Sequence, residues 1–230
     1  EICQDLWSIM PPSFELCLGG AKVIINLSAS DDYVGKFDYR RTLVATQSAR
    51  GNCAYVYADS SVWESSTDLV FSGHSLIAEN GRILVESKRF ELAGTSLVAD
   101  IDLELLASER QKNDSFRDIA LPKRFRYVEV NIKKSKAEQL RRPVNAFPFL
   151  PKDDAERSKV CKEVFEIQST GLVRRLFHTG SKDVVVGISG GLDSTLALLV
   201  SLQAFEKLSY DKKGIHCVVM PGFGTSERTK

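Results

Sequence analysis

The chain has 230 residues, 43% of them hydrophobic and 27% charged, with a formal net charge of +1. That is enough for one large or two small globular domains, and the near-neutral balance argues against nucleic acid or an acidic partner as the general target of the surface. No apolar run reaches a membrane span and no signal peptide is visible, so no membrane partner is expected.

Taken in chain order, "EICQDLW" places Cys3 just past an apolar step and before a turn, with Pro11-Pro12 and a helix soon after. "KVIINLSAS" (Lys22 to Ser30) reads as a buried strand ending in small polar residues. "FDYRRTLVATQSARGN" has helical spacing, with Leu43, Val44 and Ala45 toward a core and a stop at Gly51-Asn52. "CAYVYADSSV" is a second strand. "HSLIAENGRILVESKRF" is a hairpin, because Asn80-Gly81 suits a tight primed turn between alternating strands. "TSLVADIDLELLASERQKND" predicts a strand running into a helix.

The texture then changes. Over residues 111–158 basic residues gather (Lys123, Arg124, Arg126, Lys133, Lys134, Lys136, Arg141, Arg142) and prolines punctuate "RRPVNAFPFLPKDD". A solvated connector is the plainer reading and a nucleic-acid patch the sharper one, which no RNA-binding signature accompanies. Order returns with "ERSKVCKEVFEIQSTGLVRRLFHTG", where Val160, Val164, Ile167 and Leu172 set an apolar helical period. "VVVGISGGLDSTLALLV" and "IHCVVMPGF" then read as strand, glycine turn, helix and strand, a βαβ unit with a parallel sheet. Two partial α/β domains are expected: 1–110, then the linker 111–158, then 159–230.

Five scattered cysteines (Cys3, Cys17, Cys53, Cys161, Cys217), odd in number and never in a CxxC pair, argue against a disulfide framework and a zinc site. They favour a reduced, cytoplasmic setting. His74, His178 and His216 lie far apart and suggest neither a metal cluster nor a catalytic triad.

The chemistry concentrates in Ser189-Gly190-Gly191-Leu192-Asp193-Ser194, between an apolar strand and a helix read from Thr195 to Phe205. Backbone N–H groups of Gly190 and Gly191 at a helix N-terminus suit an anion, and Ser189 and Ser194 add hydroxyl donors. The loop has no Walker lysine; Asp193 would repel phosphate unless a cation lay between them, so it reads as a Mg²⁺ ligand. The competing reading makes Asp193 a helix cap, with the helix beginning at Ser194 or Thr195. A glycine loop with hydroxyls and one metal-holding carboxylate suits a leaving pyrophosphate, and so adenylation.

"SGGLDS" after an apolar strand resembles the pyrophosphate loop of the ATP pyrophosphatase superfamily, with Gly187 through Ser194 as the ATP loop and Asp193 at the metal. "EICQDLW" resembles the nucleophile turn of the nitrilase superfamily, whose pattern is Cys-Glu-Asp and an aromatic; taken alone, a single cysteine is more often a core residue. The two halves in one chain, with "NLSAS", "FPFLP" and "VMPGFGTSERTK" (Val219 to Lys230), resemble the glutamine-dependent NAD synthetase family along the whole length. That resemblance implies an α/β chain: the C-terminal part of a nitrilase-like αββα sandwich followed by the start of a parallel-sheet, Rossmann-like ATP pyrophosphatase domain.

It implies Cys3 as glutaminase nucleophile, with Gln4, Ser30 and Lys36 holding glutamine, and Thr225 and Ser226 near the nucleotide. Its small molecules are glutamine, ATP with Mg²⁺, and deamido-NAD; an enclosed ammonia route and a homo-oligomer are implied too. Two positions depart from the family pattern. Gln4 stands where Glu is usual, losing a charge that would pair with the substrate's amino group, and Lys36 stands where Arg is frequent, a point charge in place of a fork. The Glu base and Lys of the glutaminase are expected upstream of residue 1, and the deamido-NAD elements after Lys230. The fragment alone is thus expected to be inactive and unable to fold independently. The alternatives are another ATP pyrophosphatase amidotransferase, a degenerate amide- or nucleotide-binding module, and, third, an RNA-binding linker.

Overall fold

The computed structural model describes residues 1–64, 68–119, 125–132, 139–151 and 153–220. These form two compact units, Glu1–Val144 and Asn145–Lys230. The division falls inside the stretch read as a linker, and helix already occupies both of that stretch's ends.

In the first unit, strands β1 (Val23–Ser28), β2 (Ala54–Asp59), β3 (Leu76–Glu79) and β4 (Arg82–Glu86) form one sheet in that order. β1 and β2 are parallel, joined through helix α2 (Lys36–Arg50); the β2/β3 and β3/β4 pairs are antiparallel, so the sheet is mixed. The β3–β4 link is the expected two-residue hairpin, with Asn80 at φ 45° and Gly81 at φ 86°, both in the left-handed region such a turn requires. Helix α1 (Pro12–Leu18) begins with proline at its first position, where the missing N–H costs no bond.

The core lies on one face of this sheet: Ile24, Tyr55, Tyr57 and Leu76 pack with Leu6, Val44 and the thiols Cys17 and Cys53. β1 therefore differs from the buried strand its composition suggests. It alternates, with Ile24 and Asn26 inside while Val23, Ile25 and Leu27 are exposed, because only one face of the strand is covered here. The strand expected before helix α3 (Leu103–Lys112) does not form. That segment is tied by side chains instead of a ladder: Asp102 N donates to Glu79 Oε1 at 2.6 Å, and Asp100 Oδ2 accepts Arg141 N at 2.5 Å and Arg142 N at 3.1 Å. Helix α3 is clamped by Arg110, whose guanidinium donates to the carbonyls of Cys17, Ala21, Gly51 and Asn52. A short helix α4 (Asp114–Arg117) follows it.

The second unit holds helix α5 (Asp154–Thr179), strand β5 (Val184–Gly187), helix α6 (Leu192–Leu208) and strand β6 (Ile215–Val218), with β5 and β6 parallel. This is the expected βαβ unit. Asp153 caps α5, its Oδ1 accepting Glu156 N at 2.7 Å, and Gly180 ends the helix at φ 69°. Of the apolar period expected in α5, only its last member, Leu172, lies on the packed face. Leu172, Val173 and Leu176 meet Ala204 and Phe205, whereas Val164 and Ile167 remain exposed. β5 is likewise covered on one side only: Val186 is buried and Val185 is exposed.

Candidate functional site

Two places gather chemically capable groups, one in each unit. In the first, Ile2 makes a parallel bridge to Leu27 on β1, and the chain then turns abruptly into a 3₁₀ helix, Cys3–Trp7. Cys3 begins that turn at φ 41°, a left-handed conformation that a residue with a side chain adopts only under constraint. The constraint is visible: Ile2 N donates to Asp5 Oδ2 at 2.8 Å and Asp5 N to Ile2 O at 3.0 Å, closing the turn around the thiol. Cys3 is half-buried and not in a disulfide, and Gln4 is exposed.

Trp7, in the same turn, carries Lys36 Nζ 5.3 Å from its ring centre, and Tyr33 carries it at 5.0 Å. Lys36 opens α2 and its side chain is almost wholly buried; its charge is met by Asp31 Oδ1 at 2.8 Å. That hydrogen bond holds the Asp31 carboxyl below the ordinary range. Ser30, the other residue read as holding substrate, is buried at the end of the same loop. The short helix that begins at Cys3 thus ends at the Trp7 ring on which Lys36 lies.

Beneath the Ser30–Asp32 loop lies a charged network that the motifs did not reveal. Arg40 is completely buried. Its NH2 donates to Ser30 O at 3.3 Å, Ser30 Oγ at 3.4 Å and Asp31 O at 3.3 Å, and lies 3.7 Å from both Asp32 Oδ1 and Asp59 Oδ2. Asp59 Oδ1 accepts Ser30 N at 2.9 Å. Its carboxyl is pushed up to about 6, burial outweighing the backbone hydrogen bond and the Arg40 charge that favour ionisation.

Arg40 NH1 reaches His74 Nδ1 at 3.1 Å, and His74 Nε2 lies 2.8 Å from Glu86 Oε1. A guanidinium only donates, so Nδ1 accepts and the ring proton sits on Nε2 facing Glu86. Burial lowers the His74 pKa, in keeping with a neutral ring. The clue available in sequence was the stripe Lys36, Arg40, Val44, Gln47, spaced four, four and three along one helical face.

In the second unit the glycine loop sits between β5 and α6. Helix α6 starts at Leu192, earlier than its composition suggested, so Asp193 and Ser194 belong to its first turn. The N-cap is Gly191 and uses no side chain, so Asp193 is not a cap and its carboxylate stays exposed. Hydroxyls hold the loop: Ser194 Oγ donates to Gly191 O at 3.0 Å and accepts Ser189 N at 3.3 Å, while Gly191 N donates to Ser189 Oγ at 3.4 Å. Gly190 takes φ 77°, which leaves its N–H and those of Leu192 and Asp193 without an acceptor among the described residues.

Gly187 and Ile188 lead into this loop, and Ile188 N ties it to Val218 O at 2.9 Å. Several unspent N–H groups, hydroxyls and one exposed carboxylate gather at the start of a 17-residue helix, a set of groups that suits phosphate with an accompanying cation. Among the described residues no three His, Cys, Asp or Glu side chains converge on a metal position, and no helix is long and apolar enough to cross a membrane. Thr225 and Ser226 lie outside the described residues, as do Lys123, Arg124, Lys133, Lys134 and Lys136 of the basic stretch.

Residues 164–230 match the family model described as NAD synthase. The chain is 41% identical to a glutamine-dependent NAD(+) synthetase of Mycobacterium bovis over 236 aligned residues, covering 100% of this chain and 35% of that protein. It is 28% identical to the protein so named from Thermotoga maritima, over 99% of this chain and 37% of that one. A solved glutamine-dependent NAD+ synthetase from Acinetobacter baumannii aligns over 99% of this chain and 34% of its own, at 19% identity and a TM-score of 0.38, too low to bear on the fold. The chain therefore spans 35–37% of the length of the first two relatives.

Proposed function

Homology to the glutamine-dependent NAD(+) synthetases, running the full length of this chain and 35% of the mycobacterial relative's, is the premise from which we propose that it is part of a glutamine-hydrolysing NAD synthetase. On this reading the Cys3 thiolate attacks the side-chain amide of glutamine. Ammonia leaves and a glutamyl thioester remains, which water hydrolyses to glutamate. In the second unit ATP adenylates the nicotinate carboxylate of deamido-NAD, releasing pyrophosphate. Ammonia then displaces AMP to give NAD.

The local geometry supports each role. The constrained turn at Cys3 presents a half-buried thiol, and Trp7, at the end of the same turn, carries the Lys36 ammonium over its ring. Lys36 and Ser30 would orient the amino-acid end of glutamine, with Gln4 at the rim. In the loop from Gly187 to Ser194, the free N–H groups of Gly190, Leu192 and Asp193 would bind the pyrophosphate part of ATP, aided by the Ser189 and Ser194 hydroxyls. Asp193 fits Mg²⁺, an ion commonly bound by one or two carboxylates plus phosphate and water; its charge would offset that of the phosphates.

The nitrilase-like sandwich, the Rossmann-like character of the second unit and the boundaries 110 and 159 belong to this same proposal, as do a homo-oligomer and a cytoplasmic location. The observation that carries it is the alignment at 41% identity from end to end, which takes in both the Cys3 turn and the Ser189–Ser194 loop.

The test uses the intact protein with Mg²⁺, ATP and deamido-NAD, in wild-type and Cys3→Ala forms. The expected result is NAD and AMP from ammonia in both forms, and from glutamine in the wild type alone. A variant that still uses glutamine removes Cys3 from the mechanism. Absence of NAD from either donor in both forms overturns the synthetase reading.

A further inference from the structure

Gln4 leaves the glutamine site short of a negative charge, and a carboxylate stands close by that no motif pointed to. The amino-acid end of glutamine carries an ammonium and a carboxylate on one carbon, so a site that reads both needs opposite charges side by side. Lys36 Nζ and Asp31 Oδ1, 2.8 Å apart, are such a pair. The rings of Trp7 and Tyr33 flank the lysine, their centres 5.3 and 5.0 Å from Nζ, so its ammonium is held between two aromatic faces.

Asp31 is also placed to meet a ligand. Its side chain is 41% exposed against 9% for that of Lys36, so the carboxylate forms the open side of the pair. Its backbone is fixed from below: Arg40 holds the carbonyls of Ser30 and Asp31, and Asp59 holds the Ser30 N–H. A carboxylate on a clamped backbone is preorganised, so little ordering is needed when a ligand arrives.

We propose that Asp31 is the residue that recognises the α-ammonium of the amide substrate, supplying the charge that Gln4 lacks, while Lys36 takes the α-carboxylate. This deepens the glutaminase reading and rests on it. It makes the site selective for a zwitterionic amino acid over an amide that bears only a carboxylate. Asp31 acts on binding and takes no part in the chemistry at Cys3.

The test is steady-state hydrolysis by the intact protein of glutamine and of glutaramate, the same amide without its α-ammonium. Asp31→Asn is expected to raise the KM for glutamine about tenfold or more, the loss typical of one charge-assisted hydrogen bond, with a much smaller change in kcat. It should not raise the KM for glutaramate. Adding Gln4→Glu to Asp31→Asn should restore most of the glutamine affinity. Equal changes for the two amides, no change for glutamine, or no rescue by Gln4→Glu overturns the proposal.

In the wild type, glutaramate should be the poorer substrate by a similar factor, a measurement that needs no variant. Equal KM values there overturn the proposal and leave the glutaminase reading standing. A wild type that releases no ammonia from glutamine overturns both.

Discussion

The two candidate sites are built by opposite means. In the first unit the loop at the end of β1 is fixed by side chains: a fully buried Arg40, the buried carboxylates Asp32 and Asp59, and a neutral His74 handed on to Glu86. In the second unit the loop after β5 is fixed by hydroxyls and offers backbone N–H groups; its residues from Ser189 to Asp193 are exposed. A zwitterionic amino acid requires placed charges of both signs, which a protein keeps in register only by burying their supports. A polyphosphate brings its own charge and asks mainly for donors, which a glycine turn and a helix N-terminus provide without any dedicated side chain. The first design is therefore sensitive to a single buried substitution, and the second to backbone conformation.

The contrast breaks most visibly at Arg40. Arg40→Met would leave Asp59 buried without its cation and Asp32 with only the half-exposed Arg89, so the first unit should lose about 3–5 kcal/mol of stability. The measurement is urea unfolding of the intact protein; a loss within the ordinary range of surface substitutions would mean that the network contributes little. An exposed counterpart, Asp193→Asn in the second loop, should leave unfolding nearly unchanged.

A second test uses pH. Asp59 has a carboxyl pushed up to about 6 in the folded protein, against an ordinary value of 3.8. Between those values the folded state binds more protons than the unfolded state, so this group's contribution to stability is fully present below about pH 4. It is lost as pH rises through about 6, by up to ~3 kcal/mol. Replacing Asp59 with Asn removes that dependence. Unfolding free energy measured from pH 4 to 7 should therefore fall less steeply, or rise more steeply, for Asp59→Asn than for the wild type. Parallel curves would show that Asp59 titrates normally.

The same difference explains what could be read in the sequence. The second site was legible because its parts are contiguous: Ser189 to Ser194, between an apolar strand and a helix, is a local pattern, and only the helix start was misplaced. The hairpin at Asn80-Gly81 was legible for the same reason. The first site was legible only as isolated points, Cys3, Ser30 and Lys36. The groups that support it, Arg40, Asp59, His74 and Glu86, come from three elements and the loop before β3, and meet only after the sheet forms. Periodicity marked Arg40 as part of a helix but could not say that its charge would be buried, since burial of an arginine depends on carboxylates 8 and 19 residues away in sequence, at Asp32 and Asp59. The strand expected before α3 failed in a similar way. Its apolar alternation was real, yet Asp100 and Asp102 tied that segment to side-chain and backbone partners in place of a neighbouring strand.

The smallest effect gives the sharpest comparison within the second site, between its adjacent glycines. Gly190 sits at φ 77°, where a Cβ costs about 1–2 kcal/mol. Gly191 sits at φ −89°, and a Cβ there would lie 3.4 Å from Ser189 Oγ, an acceptable contact. If the loop works through backbone donors, Gly190→Ala must either strain the turn or rotate its N–H away, raising the KM for ATP about tenfold in the ammonia-driven reaction. Gly191→Ala changes only a cap that uses no side chain, so its effect should stay within about threefold, near 0.5 kcal/mol. Equal effects of the two substitutions would mean that the loop recognises ATP by its shape alone and that the left-handed turn at Gly190 has no special part. A larger effect at Gly191 would point instead to the hydrogen bond from its N–H to Ser189 Oγ as the feature that sets the loop for phosphate.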